Sequence, residues 1–303
     1  MLSDDAITLK KLEALLAFLD HGSLALTAEA LGQSAVSVHR ALHALEQGVG
    51  CPLFQRVGRN LVALPAALAF ADYARSALAA VAEGARAARS AAGVTEVELN
   101  IGALYSLTLR CLPRLMAGLQ RRRPDLRLKL TMGSDRELRQ ALAEGKLDAA
   151  VLCVGAAAPP GAWQTVPLFE DRLQLAAPLH SRYANAAPVE LEALREEAFV
   201  RLVDGFVTTD NFDQAFQQAG FTPRVVLSVA ETFSLINLVS GGIGYSLLPG
   251  RVAEFSPRLS LLPLAPRYAA FQQVALMFPP SRERDPNLLA LAAECRMYRH
   301  QPA

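Results

Sequence analysis

Leu9, Leu12, Leu15, Leu16 and Leu19 recur at three- and four-residue spacing, which predicts a helix over residues 9–20 with one apolar stripe. Gly22-Ser23 interrupts that pattern. A second periodic segment, Leu24, Ala28 and Leu31, runs to Gly32, a residue suited to the left-handed turn that ends many helices. Ser34 then stands where an N-cap belongs, since its hydroxyl can accept a bond from an amide of the first turn. The helix it opens places Val38, Leu42 and Leu45 on the inner side. Three or four residues separate these two helices, the connection of a helix-turn-helix, whose second helix lies in a DNA major groove.

From Pro65 to Ala92 the chain turns alanine-rich, which predicts one long helix with Pro65 in its first turn and Gly93 at its end. Leu64, Leu68, Ala71, Ala74 or Arg75, Leu78 and Val81 or Ala82 form a stripe of small and apolar residues. Such a stripe suits a twin helix, or the helix's own domain. Beyond it strand and helix patterns alternate, the mark of α/β architecture. Strands are expected at 97–101, 126–132, 149–154, 163–168, 173–177, 199–202, 225–229, 244–247 and 274–278. Helices are expected at 107–122, 136–144, 209–219, 232–240 and 287–298.

Composition narrows the class. The chain has 303 residues, long enough for two or three cores, and 52% of them are hydrophobic. No apolar run reaches the roughly 18 to 20 residues that span a bilayer. The start carries Asp4 and Asp5 and only the short run ALLAFL, so no secretory signal and a cytoplasmic location are expected. Cys51, Cys111, Cys153 and Cys295 lie far apart without metal-ligand spacing, and are expected as small buried hydrophobes with no metal or cofactor. Within residues 9–62, Lys10, Lys11, Arg40, Arg56 and Arg59 oppose Glu13, Asp20, Glu29 and Glu46, a net of +1. Phosphate contacts supply most non-specific DNA affinity, so one such unit binds weakly and oligomerisation has to add to it.

The first sixty residues resemble the N-terminal domain of LysR-type transcriptional regulators. The resemblance is carried by AEALG (Ala28 to Gly32), the helix start Ser34 to Arg40, Ala41-Leu42, Leu45-Glu46, Gly50, Pro52-Leu53-Phe54, Arg56 and Gly58-Arg59. The sequence departs from the family at Ala35 and Val36, at His39, and at Leu64-Pro65-Ala66-Ala67. The variant SAVSVHRALHALE, with GCPLF and GRNL, is most similar to the subgroup that regulates malonate utilisation. Gly241 to Pro249, GGIGYSLLP, resembles a segment of the family's regulatory region. The resemblance implies a winged helix-turn-helix domain over residues 1–63, a dimerising linker helix over 64–92, and a regulatory domain over 93–303. That last domain is expected as two α/β lobes of the periplasmic-binding-protein type, and the assembly as a homodimer or homotetramer.

On this reading the DNA-facing residues are Ser23, Ser34, Ala35, Val36, Ser37, His39, Arg40, His43, Arg56 and Arg59. Arg40 can grip guanine O6 and N7 or clamp a phosphate, while Val36 and Ala35 suit a thymine methyl. Arg56 and Arg59, on the wing, suit phosphate or the minor groove. His43 is equally suited to be plain solvated surface, and Ser23 a plain helix cap. An effector is expected between the lobes, near strand ends and helix N-termini. The residues expected there are Tyr105, Ser106, Leu107, Thr108, Met132, Gly133, Phe206, Val207, Thr208 and Thr232, though any single Ser or Thr among them also suits a helix cap; Arg110 and Arg201 are candidate countercharges or plain surface cations. The resemblance to the malonate subgroup, more than the chemistry, implies a small carboxylate such as malonate, which hydroxyls and amides of this kind would suit. Two alternatives lack DNA function: a solute-binding receptor and an α/β enzyme. No GxSxG, P-loop, HExxH or strand-borne GxGxxG motif is present, and three of the five histidines fall within the DNA-type segment, which weighs against an enzyme.

Overall fold

Gly22, with φ of 64°, turns the chain out of its first helix in the computed structural model, which describes residues 7–58, 60–92, 98–154, 162–184 and 188–299. The described residues fall into two compact units, one running through the long helix and taking in Ala143–Gly145, the other comprising the remaining residues after the helix. In the first unit, α1 (Leu9–His21), α2 (Leu24–Ala30) and α3 (Ala35–Val49) precede a hairpin of β1 (Phe54–Val57) and β2 (Asn60–Ala63). Leu12, Leu15 and Phe18 of α1 meet Val38, Leu42 and Leu45 of α3 in one core. Ser34 caps α3 as expected, its hydroxyl accepting from the Ser37 amide at 3.1 Å. Gly32 and Gly50 carry the positive φ that ends α2 and α3.

The long helix α4 spans Pro65–Ala91. Ala71 and Ala74 of the expected stripe are buried, as is Ala67 beside them, and these small residues let α4 lie close to α1 in its own domain. Leu68, Tyr73 and Val81 remain exposed. Gly93, the expected stop, and the first residue of the strand expected at 97–101 lie outside the described residues.

In the second unit, the first lobe is built on β3 (Glu98–Ala103), with α5 (Cys111–Arg122), β4 (Arg127–Met132), α6 (Asp135–Ala143) and β5 (Ala149–Val154) following. β3 pairs in parallel with β4 and β5, and Leu99, Ile101, Leu115, Leu119, Leu138 and Val151 share its core. α5 starts four residues later than its pattern suggests, because Tyr105–Leu107 forms a separate 3-10 turn.

The two strands expected at 163–168 and 173–177 are one continuous strand, β6 (Gln164–Pro178). After it come β7 (Ala198–Leu202), α7 (Val207–Gln218), β8 (Arg224–Val229), α8 (Thr232–Ser240), β9 (Ser246–Pro249), β10 (Leu259–Pro263), β11 (Phe271–Phe278) and α9 (Pro286–Arg299). Gln164 to Arg172 of β6 pair with β11 in the first lobe, whereas Leu173 to Pro178 pair with β9 and β10 in the second. The apolar pattern breaks at Glu170-Asp171-Arg172 because the strand changes lobes there, not because it ends. The sequence pattern does not announce β10, whose pairing to β6 makes it a strand. The second lobe centres on Phe199, Phe212 and Phe216, with Phe199 and Phe216 ring centroids 4.8 Å apart.

Candidate functional site

The first candidate surface lies on α3. With Val38, Leu42 and Leu45 turned inward, Ala35, Val36, Ser37, His39, Arg40 and His43 are all exposed, as helical geometry requires. Val36 is 68% exposed, an apolar side chain held in water at the start of the helix. Arg40 and Arg56 are exposed and pair with no acid among the described residues, so both guanidiniums are available for phosphate or base edges. The Ser34 and Ser37 hydroxyls lie 2.9 Å apart and cap the helix. Ser23 begins α2 without a side-chain cap bond; its carbonyl instead accepts from the Thr27 hydroxyl at 2.7 Å. Arg59 lies outside the described residues.

Glu46 is a residue whose role the pattern did not reveal. One carboxylate oxygen accepts from the amides of Leu53 and Phe54, at 2.9 and 3.0 Å, and so ties α3 to the base of the β1–β2 wing. Partial burial opposes its ionisation, but the Phe54 and Leu53 amides outweigh it and hold the carboxyl below its ordinary range. His43 is exposed, and its Nδ1 sits 3.2 Å from the other oxygen of Glu46. Phe54 packs edge-on against Phe18 of α1, with centroids 5.3 Å apart, which seats the wing on the domain.

The second candidate site is the cleft between the lobes of the regulatory unit. From the first lobe it is lined by Leu104, Tyr105, Ser106 and Asp135, and from the second by Leu202, Phe206, Thr208, Thr232 and Arg251, among others. Five of the expected residues thus meet: Tyr105, Ser106, Phe206, Thr208 and Thr232. Val207 contributes its backbone amide at the cleft's edge, which donates to Asp135 at 3.0 Å. The others are elsewhere. Leu107 is buried in the first-lobe core, and the Thr108 hydroxyl caps its own turn by donating to the Tyr105 carbonyl at 2.8 Å. Met132 and Gly133 stay outside the lining because the chain turns at Ser134 into α6, where Ser134 and Glu137 cap each other.

Neither Arg110 nor Arg201 lines the cleft. Arg110 pairs with Glu254, and Arg201 with Asp204 and Asp213, so both are engaged away from the cleft. Arg251 supplies the charge instead, with its side chain only 9% exposed. Its Nε donates to the Ser106 hydroxyl at 2.9 Å, one terminal nitrogen lies 3.3 Å from Asp171, and the other donates to the Gln272 carbonyl oxygen at 2.9 Å. Gln272 in turn donates to Thr208 and Asn211, at 3.1 and 3.0 Å. Arg251 follows the GGIGYSLLP segment by two residues, the one sequence signal that could have pointed to it.

Asp135 joins the lobes. One of its oxygens accepts from the Cys153 amide of β5 at 2.9 Å and the other from the Val207 amide of α7. Burial pushes its carboxyl up, against the pull of those two amides and of Arg251 and Arg139. Three of the four cysteines are buried as expected, but Cys51 is exposed. Burial drives the Cys111 and Cys153 thiols up to about 12, far from the range of reactive thiolates. No His, Cys, Asp or Glu cluster suited to a metal occurs among the described residues, and no helix among them is long and apolar enough to cross a membrane.

A winged helix-turn-helix followed in the same chain by a two-lobed α/β unit is the layout of a DNA-binding regulator of transcription. The chain belongs to the LysR family: the family's bacterial regulatory helix-turn-helix model matches residues 9–67 and the LysR substrate binding domain matches residues 92–299. It is therefore a LysR-type transcriptional regulator and not an enzyme. It is 44% identical over 294 residues to the malonate utilization transcriptional regulator of Klebsiella pneumoniae, covering 96% of each chain. It is 27% identical to the transcriptional dual regulator GltC of Bacillus subtilis, over 83% of this chain and 84% of that one. Among solved structures, full-length CbnR complexed with its target DNA matches with a TM-score of 0.62 at 22% identity, over 96% of this chain and 100% of that one. A full-length OxyR variant of Pseudomonas aeruginosa matches with a TM-score of 0.63 at 22% identity, over 96% and 95%. These structural likenesses concern the fold.

Proposed function

We propose that this regulator responds to a small dicarboxylate, malonate first, bound in the cleft beside Arg251, and that α3 and the wing carry it to its operator. The observation that carries the reading is the 44% identity, over almost the whole of both chains, to a regulator of malonate utilisation. The buried Arg251 guanidinium, flanked by the hydroxyls of Ser106, Thr208 and Thr232, is chemically what a carboxylate needs. Ser23, Ser34 to Ser37, His39, Arg40, His43, Arg56 and Arg59 are the proposed DNA contacts, with Arg40 reading bases and the wing arginines holding phosphate. Residues 1–63 form the DNA-binding domain, 64–92 the linker and 93–303 the sensor, working in the cytoplasm as a homodimer or homotetramer. A net charge of +1 across residues 9–62 makes that multivalency necessary for tight operator binding.

Calorimetric titration of the full-length chain tests the effector. Malonate should give a saturable heat with one site per chain, and Arg251→Met should weaken it about 10- to 100-fold, the worth of one hydrogen-bonded charge pair. No heat and no shift in melting temperature at millimolar malonate would remove malonate from the reading.

A further inference from the structure

The cleft's cation is already held by one of the chain's own carboxylates. Asp171 accepts from the backbone amide of Arg251 at 2.8 Å and lies 3.3 Å from its guanidinium, as a bound carboxylate would. With Ser106 and Gln272 on the remaining nitrogens, each of the three guanidinium nitrogens has an acceptor. The cleft has about 10 Å³ of free space, no more than one water needs. With the lobes in this arrangement, a dicarboxylate reaching Arg251 inside the cleft takes the place of a group that is there.

We propose that Asp171 is a built-in stand-in for the effector, and that a small dicarboxylate binds by taking Arg251 from it. This rests on the effector reading above. Asp171 is the one acceptor whose replacement exchanges like for like: a carboxylate leaves the guanidinium as a carboxylate arrives, so no unpaired charge is left buried. Ser106 and Gln272 are neutral, and their loss would compensate nothing.

The displaced carboxylate has somewhere to go. Asp171 and Arg251 also line an open groove of about 810 Å³, together with Ser106, Arg114, Phe169 and Tyr298. Asp171 can turn into that groove and be hydrated. Its position makes the exchange consequential. It sits where β6 passes between lobes, on the strand that pairs with β11 in one lobe and β9 in the other. Arg251 belongs to the second lobe and Ser106 to the first. Breaking the Asp171–Arg251 pair thus changes the contacts that hold the lobes together, which gives the ligand different affinities for two lobe arrangements, the requirement for signalling.

The test is Asp171→Asn, whose amide oxygen still accepts from the Arg251 backbone while the competing charge is gone. Wild type and D171N are titrated with malonate and with succinate by calorimetry after both melting curves are recorded. D171S repeats the loss of charge if D171N does not fold. D171N should bind a dicarboxylate about tenfold tighter, because the stand-in no longer lowers the competent fraction. If wild type binds malonate and the variants bind it no tighter, or more weakly, Asp171 positions Arg251 and the stand-in idea is overturned while the malonate reading survives. If wild type ignores malonate but D171N binds succinate more tightly than wild type does, the stand-in is supported and malonate is removed. Absence of binding by every chain to both acids overturns both.

Discussion

Asp171 and Gln272 stand opposite each other in register on β6 and β11, and both hold the Arg251 guanidinium. The two strands cross between the lobes at this level, since Leu173 already pairs with β9 in the second lobe and Tyr268, just before β11, is buried there. A single arginine thus reports on the relative position of the lobes through a neighbouring acid and amide. Gln272 extends the connection to Thr208 and Asn211 at the start of α7. Every nitrogen of the Arg251 guanidinium has an acceptor, and such networks fix one arrangement until a competing group enters.

Arg40 and Arg56 should be distinguishable by the kind of DNA they need. Arg40→Ala is expected to cost about 1–3 kcal/mol on the operator and little on unrelated duplex, because base contacts discriminate. Arg56→Ala should weaken both about equally and reduce the salt slope by about one. Gel shifts at three salt concentrations read both effects. Full operator affinity in R40A would show that α3 is not the reading helix.

Glu46 should matter through the wing. Removing the acceptor of two amides by Glu46→Ala is expected to cost about 1–3 kcal/mol of stability, whereas Glu46→Gln keeps an oxygen in place and should recover most of it. The acid limb carries a sign. Because the Glu46 carboxyl is held below its ordinary 4.5 in the folded chain, it stabilises above that value and its contribution is lost as pH falls through the lowered one. Denaturant titrations from pH 6 down to 3 should therefore show wild type losing more stability than E46Q, and equal losses would deny the assignment.

Thiol labelling should be selective. Of the four cysteines, Cys51 alone is exposed, and burial keeps Cys111 and Cys153 protonated. Ellman's reagent on the native chain should therefore titrate one thiol, none in Cys51→Ser, and all four in denaturant. Rapid reaction of a second native thiol would contradict this burial.

The Arg282–Asp148 pair should be the most costly side-chain interaction of the sensor to break from one side. Arg282 and Asp148 are 3% and 5% exposed, and Asp148 also accepts from the Asn100 amide at 2.6 Å. Arg282→Ala removes a buried cation from both Asp148 and Asp285, a change worth about 3–5 kcal/mol. For a unit of this size that lowers the melting temperature by about 6–20 °C. A loss under about 2 °C would mean that water or a neighbour replaces the cation.

The sequence by itself determined most of the elements and the family. Periodic leucines, Ser34 as a cap and glycines at positive φ act within a few residues, so α1 to α3 and most sensor helices could be placed before any tertiary contact was known. It also placed five cleft residues, because loops after strands and before helices converge in any two-lobed α/β sensor. Only the tertiary structure decided the chemistry of the cleft. Arg251 is 80 residues from Asp171 and 145 from Ser106. No local pattern can bring such residues together; the antiparallel pairing of β6 with β9 and β11 does. Arg110 and Arg201 looked equally suitable in the sequence, and only folding shows that nearby acids claim them. Glu46 was visible as a helix residue, yet its two amide partners come from the wing. Periodicity reports which side of an element is apolar, whereas electrostatic partners depend on long-range register, which the chain acquires only when its strands meet.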